Sequence, residues 1–284
     1  MNRNLIIYLY VFFAAGCELF NPEEMTPSYL KLEDFTLSTN SSTEGSNSHN
    51  ITDVWVYIDG NLQGIYEIPA QFPILEDGTH EFSFGAGVKM NGMSSTRIEY
   101  PFYKRHTDNI TLFKDSIIQT NLSTQYYSNV TFQWIEDFDQ PGPDMTTTSI
   151  SNASLQRVTS SSLTFGGNGG SGAAYLDTLN PIFECISNNQ FNLPMWGTPV
   201  FLELNYKTTS TLFVGLQVQD QFLLTTQKTI LGINPSNEWK KIYINLTNAI
   251  LEEPNATSFG IFLGTGLSDT TYAEIYFDNL KLLY

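Results

Sequence analysis

The side chains able to do chemistry are few, and most are badly placed for it. Histidine, which exchanges protons near neutral pH, occurs only at His49, His80 and His106. All three lie in the first half, with no His-Glu-x-x-His spacing to put two imidazoles on one helix face around zinc. Gly169-Gly170-Ser171-Gly172-Ala173 ends in Ala where a nucleophile elbow has Gly. It also lacks the alternating strand and helix that strain such a serine. Without a Gly-Lys-Ser/Thr ending, the same loop makes no phosphate cradle. Two carboxylates about 5–10 Å apart cleave a glycosidic bond, and Glu136 with Asp137 or Asp139 supplies the number. Neighbours on a strand alternate faces, so Glu136 and Asp137 diverge. Glycoside hydrolysis through Glu136 is therefore a minor alternative, and the chain reads as a non-enzyme.

Binding has better material. Aromatic residues make up 14% of the chain, and a sugar ring stacks its C–H face on an exposed Trp or Tyr while amides take its hydroxyls. Trp196, in Leu193-Pro194-Met195-Trp196-Gly197, sits in a loop and is the best platform. Tyr175, in Ala174-Tyr175-Leu176 after the Gly-rich loop 166–172, is the second. Packing inside the protein is the open alternative for both. Trp55, Trp134 and Trp239 fall in strand patterns and are expected in cores.

Of the two cysteines, Cys185 reads as a small buried apolar residue. Cys17 reads differently. Arg3, the apolar run from Leu5 to Ala15 and the ending Ala14-Ala15-Gly16-Cys17 form a secretory signal closed by a lipobox-like site. The apolar stretch is shorter than the roughly 20 residues that span a bilayer. Residues 1–17 are thus expected to direct export, with Cys17 acylated. Residues 18–28 (Pro22, Glu23, Glu24, Pro27) form an extended tether. Acids outnumber bases 29 to 13, for a net charge of −16. Nucleic-acid binding, which needs clustered Lys and Arg, is excluded, and the lipid rather than the protein surface must hold the membrane.

The remainder is strand-like. Leu32, Phe35 and Leu37 mark a first strand. Val54 to Ile58, the turn Asp59-Gly60 and Leu62 to Ile68 make a hairpin. His80, Phe82 and Phe84 alternate with Glu81 and Ser83. The pattern restarts at Phe132, Trp134, Glu136 and Phe138, and strands follow at 200–206, 212–219, 239–246, 258–263 and 272–283. Helical periodicity is nearly absent outside one turn at 247–253. The fold class is all-β, with two sandwiches at 29–125 and 131–284.

Two resemblances refine this. Ile51 to Gly60, Glu67-Ile68-Pro69-Ala70, Gly78-Thr79-His80-Glu81 and Tyr100-Pro101-Phe102-Tyr103 resemble the amino-terminal module of uncharacterised lipoproteins of the Bacteroidetes. The likeness runs from Tyr29 to Tyr127 and implies an immunoglobulin-like sandwich in the bacterial envelope. Glu136-Asp137-Phe138-Asp139, Glu203 to Lys207, Trp239 to Leu246 and above all Glu274 to Leu280 resemble jelly-roll, galactose-binding-like modules of secreted bacterial proteins. In such modules the first and last strands lie together, and carboxylates on them often hold a structural calcium. Ca²⁺ takes six to eight oxygens, and Glu136, Asp139 and Asp278 are the carboxylates for that role. Solvated surface acids are the alternative. The expectation is a lipid-anchored outer-membrane protein whose jelly roll recognises carbohydrate or another surface component. A structural or adhesive part in an envelope protein assembly is the alternative.

Overall fold

The computed structural model describes residues 25–268 and 270–284. Cys17, the export signal and residues 18–24 of the tether lie outside the described residues. Among those described, no helix is long and apolar enough to cross a membrane.

The first sandwich contains β1 (Ser28–Ser38), β2 (Asp53–Ile58), β3 (Asn61–Glu67), β4 (Ala70–Ile74), β5 (Gly78–Lys89), β6 (Arg97–Glu99), β7 (His106–Leu112) and β8 (Ile117–Gln125). One sheet has the order β4-β1-β8, and the other β3-β2-β5, with β6 and β7 both paired to β5. Alternation builds it: Val54, Val56 and Ile58 point inward from β2, facing Leu30, Leu32, Phe35 and Leu37 from β1. Asp59 and Gly60 both take positive φ, at 50° and 79°. Right-twisted hairpins favour such a turn, and Asp-Gly supplies it. Pro73 lies in β4, an edge strand, where its missing N–H costs no ladder bond.

The second sandwich starts with β9 (Phe132–Glu136), β10 (Met145–Thr147), β11 (Gln156–Val158), β12 (Ser171–Asp177) and β13 (Ile182–Ser187). It continues through β14 (Phe201–Thr208), β15 (Leu212–Asp220), β16 (Thr225–Ile233), β17 (Ser236–Asn245), β18 (Ala256–Gly266) and β19 (Tyr272–Leu283). Its sheets are β10-β13-β18-β15-β16 and β11-β12-β19-β14-β17, with β9 also paired to β19. All pairs are antiparallel, as a jelly roll requires. Phe183, Cys185, Val214, Leu216, Ile261, Leu263, Ile275 and Phe277 fill the space between the sheets. The Cys185 thiol is fully buried there, and burial pushes its pKa up, so it is a packing group. Trp134 joins this core. Trp55 and Trp239 do not: both lie half-buried on outer faces, Trp55 over Gly87 and Trp239 against Phe165 at 5.6 Å. Strand pattern alone does not tell which face of a sheet a tryptophan covers.

The two sandwiches are fused through the outer face of the β14-β17-β19 half-sheet. Phe201, Tyr243 and Leu283 of the second sandwich belong to the hydrophobic core of the first. The Tyr100 ring packs edge-on to Phe201 and Tyr243 at 5.3 and 4.8 Å. At the centre stands Glu203, fully buried. Its carboxylate accepts hydrogen bonds from Tyr100 at 2.8 Å and Tyr126 at 3.0 Å. Lys241 Nζ stands 2.8 Å away as an ion pair without hydrogen-bond alignment. Burial pushes the Glu203 pKa up, but Lys241, Lys281 and the tyrosine hydroxyl outweigh it and hold the carboxyl below its ordinary value. Lys281 donates to the Ser46 carbonyl at 2.6 Å. The β5–β6 turn adds a further clamp: Asn91 N–H donates to Tyr243 O, and Asn245 N–H to Asn91 Oδ1.

Candidate binding face and acidic cavity

The outer face of the β10-β13-β18-β15-β16 sheet is concave. Glu184 on β13 points away from the core, between inward Phe183 and Cys185. Gln217 points the same way from β15, and its register partner on β16 is Gln227. Glu184 Oε1 accepts hydrogen bonds from Thr148 Oγ1 at 2.7 Å and from Gln227 Nε2 at 2.8 Å. β13 and β16 are three strand spacings apart, about 14 Å on a flat sheet. Side chains meet across that gap only if the sheet curls toward them.

Further amides line the same hollow. Gln190 Nε2 donates to Gln217 Oε1 at 2.9 Å, and Ser258 Oγ to Gln219 Oε1 at 3.1 Å. Two glycines make the arrangement possible. A Cβ on Gly215 would run into the Phe262 ring and the Lys228 carbonyl, and one on Gly260 would sit 2.7 Å from Gln190 Nε2. Their absence lets the buried Phe262 ring pack against Gly215 and Gln190 lie over Gly260. Each amide here keeps donors or acceptors beyond the bonds named, enough to take the hydroxyls of a ligand.

Trp196 is 94% exposed, with φ of 73° beside Gly197 at 84°. Its loop follows Phe191, which bridges to Phe259. The β15–β16 turn, with Phe222, Leu223 and Leu224 exposed, closes beside the start of β18. Trp196 and this turn therefore stand at one end of the concave sheet. Tyr175 does not join them. It lies on the outer face of the other sheet, edge-on to Tyr276 at 6.0 Å, and that ring is covered in turn by Trp239. The two expected platforms thus occupy opposite sheets.

The three expected calcium ligands are also divided. Both Glu136 oxygens are taken by backbone N–H groups, of Phe138 at 2.7 Å and of Asp144. Asp139 and Asp278 do share one cavity of about 280 Å³, with Asp137, Asn168 and Asn279 on its wall. Gly170 N–H donates to Asp139 Oδ1 at 3.1 Å, and Ser171 Oγ to Asp278 Oδ2 at 2.6 Å. Burial pushes Asp278 up to about 7, and the neighbouring Asp139 and Asp137 charges add to this. Among the described residues, no group of three or more His, Cys, Asp or Glu is spaced to hold a metal ion. An ion here would need the two carboxylates to be completed by amide and backbone oxygens, which Ca²⁺ accepts.

The residues of the concave face are absent from the sequence-based candidates. Glu184, Gln190, Gln217 and Gln227 come from separate segments, and only the fold brings them together. One signal was present: in Gly215-Leu216-Gln217-Val218-Gln219, amides alternate with apolar residues, the mark of a strand with a polar outer face.

No family model matches the chain, and no curated protein matches it by sequence. Similar solved structures include carbohydrate-binding modules. A C-terminal family 22 module from Clostridium thermocellum is 16% identical over 53% of this chain and 91% of that one, with a TM-score of 0.36. A family 30 module of a cellulosomal cellulase from the same organism is 14% identical over 52% and 96%, with a TM-score of 0.39. A family 29 module in complex with mannohexaose is 12% identical over 55% and 92%, with a TM-score of 0.36. At these scores the likeness adds nothing about ligands.

Proposed function

We propose that the jelly-roll sandwich binds a polysaccharide along its concave face without making or breaking a bond. The observation that carries this is the Glu184–Gln227 bond across the curved sheet, with Gln190, Gln217 and Gln219 beside it. Sugar hydroxyls exchange readily for such amide–carboxylate bonds, and the exposed Trp196 ring at the rim supplies apolar surface for a ring face. The test is calorimetric titration of the purified chain with a panel of soluble polysaccharides. Binding that weakens about tenfold or more in Glu184→Ala, and by about three- to tenfold in Gln217→Ala, is expected, since a lost hydrogen bond is worth about 1.5–3 kcal/mol to a charged group and about 0.5–1.5 kcal/mol to a neutral one. Flat heats across the panel, or binding indifferent to both changes, overturns the reading.

The proposal includes export and acylation of Cys17, holding the chain at a bacterial outer membrane. The run Ala14-Ala15-Gly16-Cys17 after a short apolar segment supports it, and mass spectrometry of the native product tests it. It also includes a structural Ca²⁺ between Asp139 and Asp278, supported by their shared cavity. The exposed Phe222-Leu223-Leu224 turn favours a second reading, contact with an envelope protein. A partner co-purified from membranes and lost in Leu223→Ser would support that reading over the first.

A further inference from the structure

A groove at the junction of the two sandwiches carries chemistry that the concave face lacks. It has a volume of about 450 Å³, within the ~300–1,000 Å³ of small-molecule sites. The β5–β6 turn forms one wall, and the adjoining edges of β16 and β17 form the other. Lys89, Lys240 and Lys241 line it, with Asn50, Asn91 and Asn234, and neither Asp nor Glu does. That is a sharp departure for a chain in which acids outnumber bases 29 to 13. The three lysines differ in freedom. Lys241 is committed to Glu203 at 2.8 Å, which offsets its charge. Lys89 stands 3.9 Å from Glu67, whose other oxygen is held by Arg97 at 3.1 Å. Lys240 is exposed and forms no ion pair among the described residues. The carboxylates beside Lys89 and Lys241 offset those two charges, so the groove's unpaired charge is that of Lys240; at physiological salt, acids more than ~8 Å away do little to cancel it. Met93, Leu231 and Pro235, exposed or half-buried, give the groove its accessible apolar surface.

We propose that this groove binds an acidic saccharide, its carboxylate held by Lys240 and Lys89. The asparagines take its hydroxyls, and the side formed by Met93, Leu231 and Pro235 takes its ring face. An inorganic anion has no use for that apolar wall, and a neutral sugar has none for the lysines.

The test is titration of the whole chain with trigalacturonate, with a neutral galactose trimer and with sodium sulfate at matched ionic strength. Trigalacturonate is expected to bind at least about tenfold more tightly than the neutral trimer, more weakly as salt rises, and about tenfold more weakly in Lys240→Ala. Both lysine changes, at Lys89 and Lys240, are at partly exposed side chains, and an unchanged melting temperature verifies their folds. Equal affinity for the acidic and neutral trimers, or no trigalacturonate binding at millimolar concentration, overturns the proposal. Sulfate bound as tightly as trigalacturonate reduces the groove to an anion site and also overturns it. Glu184→Ala is expected to leave trigalacturonate binding unchanged. Loss of binding in that variant would place the acidic sugar on the concave face, overturning the groove while leaving the polysaccharide reading intact.

Discussion

Glu203→Ala tests whether the two sandwiches act as one body. The side chain is fully buried, as is the Lys241 side chain 2.8 Å from it, and the Tyr100 and Tyr126 hydroxyls both donate to it. Truncation leaves a buried ammonium without its counter-charge, which costs about 3–5 kcal/mol. Two tyrosine hydroxyls also lose an acceptor, at about 1–3 kcal/mol each where no water replaces it. These losses share atoms and do not add, so ~4 kcal/mol is the working figure. For a chain of this size that is roughly 8–16 °C in melting temperature. The loss falls on the interface, so the shape of the transition should change too. The parent should melt in one calorimetric step, and Glu203→Ala in two, the interface no longer coupling the cores. Glu203→Gln paired with Lys241→Met supplies a control. It removes both charges and should recover most of the loss, because a buried ion pair is seldom more stable than neutral groups of similar volume. A loss below ~1 kcal/mol in Glu203→Ala, or an unchanged single transition, would refute the assignment of this carboxylate as the joint.

The remaining predictions concern single sites. Lys281 is held down to about 7, first by burial and then by the Lys241 charge, whereas the unfolded side chain titrates near ~10.4. Between these values the unfolded chain binds the extra proton, so this group makes stability rise from pH 7 to pH 10. Denaturant melts across that range should show the rise in the parent and its loss in Lys281→Met. Gly215→Ala forces a methyl into the Phe262 ring and the Lys228 carbonyl and should cost about 1–3 kcal/mol, read from urea melts. Trp196→Ala should leave the melting temperature unchanged, because the ring is almost wholly exposed, while weakening polysaccharide binding in the same titrations. If the Asp139–Asp278 cavity takes calcium, a concentration 100-fold above the dissociation constant adds about 2.7 kcal/mol. Coincident melts in calcium and in EDTA would remove the ion from the proposal.

Much of the strand pattern was legible because alternation is a local signal. Val54 to Ile58 with Asp59-Gly60 carries its own hairpin, and Tyr272 to Leu283 its own register. Other strands were less visible. In β13, Phe183, Cys185 and Ser187 face inward, but Glu184 is flanked by Ile182 and Ile186 on the outer face, which blurs the alternation. β16 has an apolar cluster only at its end and a register shift opposite Val214 and Gly215, so its period is broken. These two strands carry Glu184 and Gln227. The candidate face was thus hidden where the local signal is weakest, whereas the acids near the first and last strands stood out by type. The jelly-roll resemblance grouped Glu136 with Asp139 and Asp278 as carboxylates on the first and last strands. The backbone amides of Phe138 and Asp144 took it elsewhere, and a carboxylate closing a turn looks in sequence like any other acid.

The fused interface has a consequence for how a binding face is presented. β1 pairs in parallel with β8, so Ser38 lies beside Gln125, one residue from interfacial Tyr126. Ser28 lies ten residues of strand away from that end, about 33 Å at ~3.3 Å per residue. The first sandwich therefore separates the residues before Ser28 from the jelly roll by most of its length. With Glu203, Lys241, Lys281 and the Asn91 turn fixing the angle between the two bodies, the concave sheet has a set orientation relative to Ser28. A flexible linker would let a binding module search in all directions. Here the joint is fixed, so the concave face and the lysine-lined groove are presented in a constant relation. Loosening the joint by Glu203→Ala should then leave the affinity of the concave face for a short neutral oligosaccharide unchanged, because that face lies wholly within the second sandwich. A ligand long enough to reach both the face and the groove should lose affinity, because its second contact depends on the first sandwich staying in place.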